Sequence, residues 1–348
     1  MKWQKRVWLY ADAVVPEWLL VETLGDEPEV VAQGRQIKKF VPLAAFLRRN
    51  PNLGSIRRAV ADTVAAGSGL VRDAEQNHRI IRTEPVVMTD GRVHAVHVWC
   101  GPPDCDPPER PIPGPAKWDL TALEPVLTVE ALVNFGMDPS IDPTQFEKIA
   151  ELFPPLEFGP DELEVLSTLV GPENGRTLST TWEFIDAQGR FRRLGVVGRN
   201  VEETVEDGSV HVFGRGVDLL VEVLDARPAK GDFTRRVITG LAQPGSYHCF
   251  MNLESLRLLK WLKEPCPLFN WRRPMPIHPD DEEAGVALLE ELKGGTSSTV
   301  LRLPGNDGEW VAMHVTISPI ELDRGMQAGL ATFRRPTDDE LADVGLSR

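Results

Sequence analysis

The sequence predicts an α+β fold used three times, each copy an antiparallel sheet with helices on one face. Three glycine-centred turns predict it: Thr89-Asp90-Gly91-Arg92, Ala187-Gln188-Gly189-Arg190 and Asn306-Asp307-Gly308-Glu309, each between two β-patterned stretches. An amphipathic stretch ending in glycine precedes each turn. The turn glycines lie 98 and 119 residues apart, too far for a solenoid repeat and suited to a small domain used repeatedly.

A chain of 348 residues has room for three such domains, each with its own core. A hydrophobic share of 42% and a charged share of 26% are those of ordinary globular protein. The net charge of -14 argues against nucleic acid or an anionic bilayer as partner, since both need a basic surface. Short basic groups (Lys2, Lys5 and Arg6; Arg334 and Arg335) read as solvated. Four cysteines are too few for a disulfide framework and fit a reducing, cytoplasmic setting. Asp12, Pro16 and Glu17 interrupt the N-terminal apolar stretch before a signal-peptide core forms. With no run of 18 apolar residues, no membrane insertion is expected.

The first domain is placed at 1–111. Trp18 to Leu24 reads as a strand, Gly25 to Pro28 as a turn, and Val30 onward as the return strand. Ser55 is taken as N-cap of a helix with Ile56, Ala59, Val60, Thr63 and Val64 on one stripe, stopped by Gly67. Strands follow at about 79–88 and 92–100. The proline-rich stretch from Gly101 to Pro115 reads as a semi-rigid linker.

The second domain is placed at 112–225. Asp142-Pro143-Thr144-Gln145 predicts a capped helix with Phe146, Ile149, Ala150 and Phe153 on its buried stripe. A further helix from Asp161 carries Leu163, Leu166, Leu169 and Val170. Strands are expected near 177–186, 190–199 and 209–223.

The third domain is placed at 226–336, ahead of an acidic tail at 337–348 that reads as mobile. Leu253 to Leu262 looks helical, and a proline- and aromatic-rich crossover follows from Pro265 to Pro276. Asp280 is taken as cap of a helix with Glu283 at its third position and Gly285, Leu288, Leu289 and Leu292 on its stripe. From Trp310 to Ile317 the alternation sends Val311, Met313, Val315 and Ile317 to one face.

On these residues the third domain resembles a PAS domain: Ile277-His278-Pro279-Asp280-Asp281, the helix to Leu292, Val300 to Leu303, the turn into Trp310, and Val315 to Ile320. The middle domain is similar more loosely, through Trp118-Asp119-Leu120, Trp182 to Asp186, Gly189-Arg190-Phe191 and Gly214-Arg215-Gly216-Val217-Asp218-Leu219. The first has the sheet hairpin and is similar to a GAF or a PAS domain. The whole chain resembles the mycobacterial triple sensor-domain proteins, with a GAF-like domain and two PAS domains. That resemblance implies a non-catalytic, cytoplasmic sensory or signalling protein. Such domains bind small molecules between sheet and helices, or pair through the outer sheet face.

The candidate ligand pocket is Met251, Trp261, Phe269, Trp271 and Met313, around the third domain's crossover, and it suits an apolar or aromatic molecule. The same residues equally read as core filling. No cofactor is identified, and the output partner is expected to be an unidentified signalling protein docking on an exposed sheet face. His94, His97, Cys100 and Cys105 have metal-like spacing, but His94 and Cys100 share one strand face and His97 the other, so convergence is not expected. They read instead as a strand with half-exposed histidines. His248 and Cys249 are adjacent and should diverge, leaving no thiolate pair. Gly214-Arg215-Gly216 is not followed by Lys-Ser/Thr and is no phosphate cradle. The rival readings are an interaction scaffold with filled cores and, more remotely, an enzyme.

Overall fold

The computed structural model describes residues 17–152, 156–157, 161–186, 188–224, 243–272, 277–322 and 325–346. The chain divides into two compact units, Met1–Thr121 with Pro125–Gln145 and Glu173–Arg227, and Ala122–Glu124 with Phe146–Pro172 and Pro228–Arg348. Three antiparallel sheets with few helices make up the described structure.

The first sheet runs in the order β3-β2-β1-β6-β5-β4, with β1 (Leu19–Glu22), β2 (Glu29–Gln33), β3 (Gln36–Pro42), β4 (Leu70–Asp73), β5 (Ile80–Val87) and β6 (Val93–Gly101). The predicted strands are present, while β3, β4 and the one-turn helix α1 (Leu43–Phe46) carried no usable periodicity. Helix α2 (Leu53–Ala66) starts earlier than expected, after Asn52, and encloses Ser55. The Asn52 side chain does not cap it, because its carboxamide bonds both the N–H and the C=O of Gln76. Ile56, Ala59 and Val60 do form the buried stripe, against Leu19, Val21 and Val98 of the sheet. Each large side chain so buried contributes roughly 1.5–3 kcal/mol. Gly67 ends the helix at φ 62°, a left-handed cap that a β-carbon would strain.

The second sheet, within the same unit, has the order β8-β7-β12-β11-β10: β7 (Pro113–Asp119), β8 (Glu124–Leu127), then β10 (Thr177–Ile185), β11 (Phe191–Thr204) and β12 (Val210–Leu224). A two-residue strand, β9 (Leu156–Glu157), precedes β10 in the chain. The linker expected up to Pro115 ends sooner, since Pro113 and Pro115 pair with Leu219 and Val217 of β12. Helix α3 (Val129–Asn134), unforeseen, is capped by the Thr128 hydroxyl, which accepts from Ala131 N at 3.3 Å. The helix expected after Asp142 is only two 3-10 turns, Pro143–Gln145 and Ile149–Glu151. There Asp142 accepts from the N–H and the hydroxyl of Thr144, closing a local turn rather than a cap. Phe153 of that predicted stripe lies outside the described residues.

The outer faces of these two sheets cover each other. Leu20, Val31, Ala32, Val86 and Ala95 of the first pack on Val197, Val217 and Leu219 of the second. Two such faces are therefore closed to the partner docking expected of them.

In the other unit the third sheet has the order β14-β13-β17-β16-β15, with β13 (Tyr247–Asn252), β14 (Leu258–Trp261), β15 (Ser297–Pro304), β16 (Trp310–Glu321) and β17 (Gln327–Arg334). Leu253 to Leu262 is thus no helix. Asn252 Oδ1 accepts from Glu254 N and Ser255 N, and Leu256 sits at φ 53°, so the chain turns back and pairs as a hairpin. Helix α4 (Glu162–Val170) buries Val165, Leu166 and Leu169 but leaves Leu163 exposed. Leu166 and Val170 pack with Phe250, Leu322 and Ala328, on the side of this sheet away from its main core. Helix α5 (Glu282–Glu291) covers that core with Leu288. Asp280 does not cap α5: Pro279 opens a 3-10 turn first, and Asp281 is drawn off by the N–H (2.7 Å) and guanidinium (2.6 Å) of Arg302. The acidic tail holds a capped helix, α6 (Asp338–Asp343), in which Thr337 and Glu340 bond reciprocally and Leu341 is buried. No helix among the described residues is long and apolar enough to cross a membrane.

Candidate functional site

Alternation on β13 and β16 sends Met251, Cys249, Met313 and Val315 into the third core, and the β14 and crossover residues bring Trp261, Phe269 and Trp271 to meet them. The five residues singled out in the sequence are therefore one cluster. Phe269 and Met313 are fully buried, and Trp261 is 1% exposed. Phe333 of β17, not foreseen, is the ring that joins them, with its centroid 4.9 Å from Phe269 and 6.2 Å from Trp261. Trp271 meets Trp261 edge-on at 5.8 Å. These distances are those of packed aromatic pairs. Among the described residues of this cluster the one polar irregularity is Trp261 Nε1–H, which is buried and has no hydrogen-bond partner. Burial raises the Cys249 and Cys266 thiols, so neither supplies a thiolate. His248 points to the opposite face, with Nδ1 2.9 Å from the Thr332 hydroxyl.

The metal-like group does not assemble. His94 and His97 are each 1% exposed rather than half-exposed. A β-bulge on β6, where His94 is the extra residue between Val93 and Ala95 opposite Val87 and Val86 of β5, re-aims His94 away from Cys100. Cys100 joins the α2 core, Cys105 is exposed, and His97 lies 6.0 Å from the Trp18 ring. Among the described residues no group of three or more ligating side chains could hold a metal.

His94 serves the contact between the first and second sheets. Its Nδ1 lies 2.9 Å from Gly216 O, and Arg215 Nη1 is 3.1 Å from its Nε2. Nδ1 therefore carries the proton and Nε2 accepts from Arg215. Burial, with the Arg215 cation adding, lowers its pKa to about 4. Arg215, 3% exposed, also donates to Asp90 Oδ2 (2.6 Å) and forks onto Glu203 (2.5 and 2.9 Å). Against the desolvation that would raise it, Arg215 and Lys117 hold the Glu203 carboxyl below its ordinary range. Arg199 makes a second bridge, to Glu22 at 2.9 Å and Glu29 at 2.5 Å.

The far face of the second sheet holds polar groups that sequence reasoning passed over. Asp218, 2% exposed, accepts at Oδ1 from Asn134 Nδ2 at 2.8 Å, while Oδ2 has no partner. Burial raises its pKa well above the carboxylate range, the Asn134 bond opposing and Glu130 adding. Asn200, 5% exposed, has an unpartnered Nδ2. The available signal was an aspartate inside the apolar run Val217-Asp218-Leu219-Leu220.

Comparison with known proteins gives the family. Matches run through residues 17–109 (Rv3651-like, N-terminal), 112–220 (Rv3651-like, middle domain) and 231–344 (Rv3651-like, C-terminal domain). A crystal structure of an uncharacterized protein from Mycobacterium tuberculosis is 43% identical, covering 95% of this chain and 99% of that one at a TM-score of 0.83. An RNA-binding light-oxygen-voltage receptor is 10% identical, covering 67% of this chain and 99% of that one, with a TM-score of 0.23. The periplasmic sensory domain of the Campylobacter jejuni chemoreceptor Tlp1 is 11% identical, covering 54% and 59%, with a TM-score of 0.21. Scores that low carry no argument. No curated protein matches. The three consecutive matches and the mycobacterial relative place this chain in the Rv3651-like family, a family of three domains.

Proposed function

We propose that this chain is a non-catalytic, cytoplasmic sensory protein of GAF- and PAS-like domains, which binds a small molecule or a protein and passes its state on by domain contacts. The observation that carries the reading is the Arg215 cluster. One buried guanidinium of the second sheet bonds Asp90 and His94 of the first, so a change under β12 is felt at β6. A ligand shifts such a contact only through its differential affinity for two arrangements. The aromatic cluster of Met251, Trp261, Phe269, Trp271 and Met313 is the proposed entry for an apolar ligand, whose acceptor would meet Trp261 Nε1–H.

The test is native mass spectrometry of the full chain from its own host, with hydrogen exchange across Val93–Gly101 in the wild type and Arg215→Gln. A retained molecule or partner, and faster exchange in the variant, are expected. A bare polypeptide with unchanged exchange removes the sensory reading. A scaffold without ligand is the second reading, and one observation favours it: Phe333, Trp261 and Phe269 fill the third core with each other.

A further inference from the structure

Between the end of β6 and the start of β7, residues 102–112 cross the surface as a strap. Local chemistry sets its shape. Proline fixes φ at Pro107, Pro108 and Pro111, and Asp106, Pro107, Arg110 and Ile112 each precede a proline, which pushes them to extended backbone. Of residues 106–112 only Glu109 is under neither constraint. None of the seven belongs to a helix or a strand. Extended proline-rich backbone has no internal hydrogen bonds, so its carbonyls stay open to outside donors. Pro108-Glu109-Arg110-Pro111 also has the Pro-x-x-Pro spacing of a polyproline recognition segment.

The strap is seated on aromatic side chains of the first sheet. Leu20 pairs with His97 and packs on the second sheet, and alternation puts Trp18 and Trp99 on that same face, outside the apolar contact. The Trp18 and His97 rings lie 6.0 Å apart. A β-carbon on Gly101 would stand 2.1 Å from the Trp99 ring, so that ring lies over the residue where the strap leaves β6. Trp18 Nε1–H donates to Pro108 O at 2.9 Å, and Arg110 Nη1 is 3.4 Å from His97 Nδ1. Trp18, His97 and Trp99 are 5%, 1% and 2% exposed, while Pro108, Glu109 and Arg110 on the strap stay exposed. An aromatic floor whose indole donates to a proline carbonyl is the chemistry that holds proline-rich segments. Among the described residues no backbone-to-backbone hydrogen bond ties 106–112 to the first sheet. The hold is side-chain contact, which another chain of the same chemistry can replace.

We propose that the face of Trp18, His97 and Trp99 is a recognition surface for proline-rich segments, occupied in cis by the strap and open to a Pro-x-x-Pro segment of a partner protein that displaces it. The inference deepens the sensory reading by naming a partner class and its place on the first domain. The strap itself identifies the occupant, since what is held in cis has the chemistry to be held in trans. Tethered at both ends, it competes at an effective concentration on the order of millimolar. The surface is therefore masked until a partner adds contacts of its own or the strap is loosened.

The probe is a fluorescein-labelled peptide, Asp-Pro-Pro-Glu-Arg-Pro-Ile-Pro, the sequence of residues 106–113, followed by polarisation with the full chain. Its control has alanine at every proline. A chain carrying Pro107→Gly, Pro108→Gly and Arg110→Gly keeps the strap's length and raises the entropy cost of seating it. That loosened chain should bind the peptide saturably and at least tenfold more tightly than the wild type. Adding Trp18→Phe, which keeps a ring and removes the N–H, should weaken binding about fivefold. The alanine peptide should bind at least tenfold more weakly. If the triple variant does not fold, Arg110→Ala at the exposed rim takes its place, with binding at least threefold tighter than the wild type. Absent binding by the loosened chain, affinity equal to the wild type, no loss with Trp18→Phe, or equal binding of the alanine peptide overturns the surface. Failure of the peptide beside a protein or small molecule retained in native mass spectrometry removes the surface and leaves the sensory reading. Peptide binding beside a bare polypeptide in that spectrum, with exchange at Val93–Gly101 unmoved by Arg215→Gln, does the reverse.

Discussion

The covered face of the third sheet and the far face of the second sheet both pack aromatic rings, but only the second buries a carboxyl among them. The third fills its space with rings: Phe269 and Phe333 at 4.9 Å, Trp261 and Trp271 at 5.8 Å. The second carries glycines at 198, 214 and 216 with the rings of Trp118 and Trp182 edge-on at 6.4 Å on the same face, and leaves Asp218 Oδ2 and Asn200 Nδ2 without partners. A ring-filled core gains dispersion and burial energy and loses volume for a guest. A face that buries polar atoms without partners gives up stability that an all-apolar filling keeps.

Breaking the contrast starts where most is buried. Phe333→Ala should cost about 3–5 kcal/mol, read as a lower urea midpoint of the full chain, because the cavity it leaves cannot collapse among rings. Arg215→Met should cost about 3 kcal/mol or more, since Glu203 and His94 lose their shared donor inside the sheet-to-sheet contact. An unchanged midpoint there would mean the two sheets hold together by apolar packing alone.

The second sheet and its contact also predict two pH dependences of opposite sign. His94 titrates at about 4 when folded, below its ordinary value of 6.5, so the unfolded chain binds the extra proton between them. Stability should fall by up to about 3 kcal/mol as pH drops from about 6.5 to about 4, and His94→Gln should lack that part of the slope. Asp218 is raised, so its contribution is present at low pH and is lost as pH rises above the unfolded aspartate value. Asp218→Asn should therefore stabilise the free protein at pH 7 by about 1–2 kcal/mol. A loss of stability would show that the carboxyl is structural. The smallest effect is expected from Thr337→Ala, about 1 kcal/mol through its lost cap, confined to hydrogen exchange in α6.

Much of the strand pattern was legible. Alternation from Trp310 to Ile317 and the glycine hairpins at Gly91, Gly189 and Gly308, all at positive φ, are local properties. Helix starts were read less well, because competition decided them: Arg302 claimed Asp281, and Gln76 claimed Asn52. Leu253 to Leu262 has helical spacing, yet pairing of β13 with both β14 and β17 outweighs propensity there. The five aromatic and methionine positions were found from composition and crossover. Asp218, Asn200 and Asn134 were not, since nothing local says that 134 and 218 meet.

By itself the sequence determined three sheet-and-turn modules, their hairpins, and an aromatic cluster at one crossover, because period and turn chemistry act over a few residues. Tertiary structure alone decided that two sheet faces close on each other through Arg215 and Arg199, that a bulge re-aims His94, and that Asp218 is left with an open oxygen. Those outcomes depend on contacts between residues more than 80 positions apart, such as Asn134 with Asp218 and Arg215 with Asp90. Chain entropy and desolvation settle such contacts only when the whole unit packs.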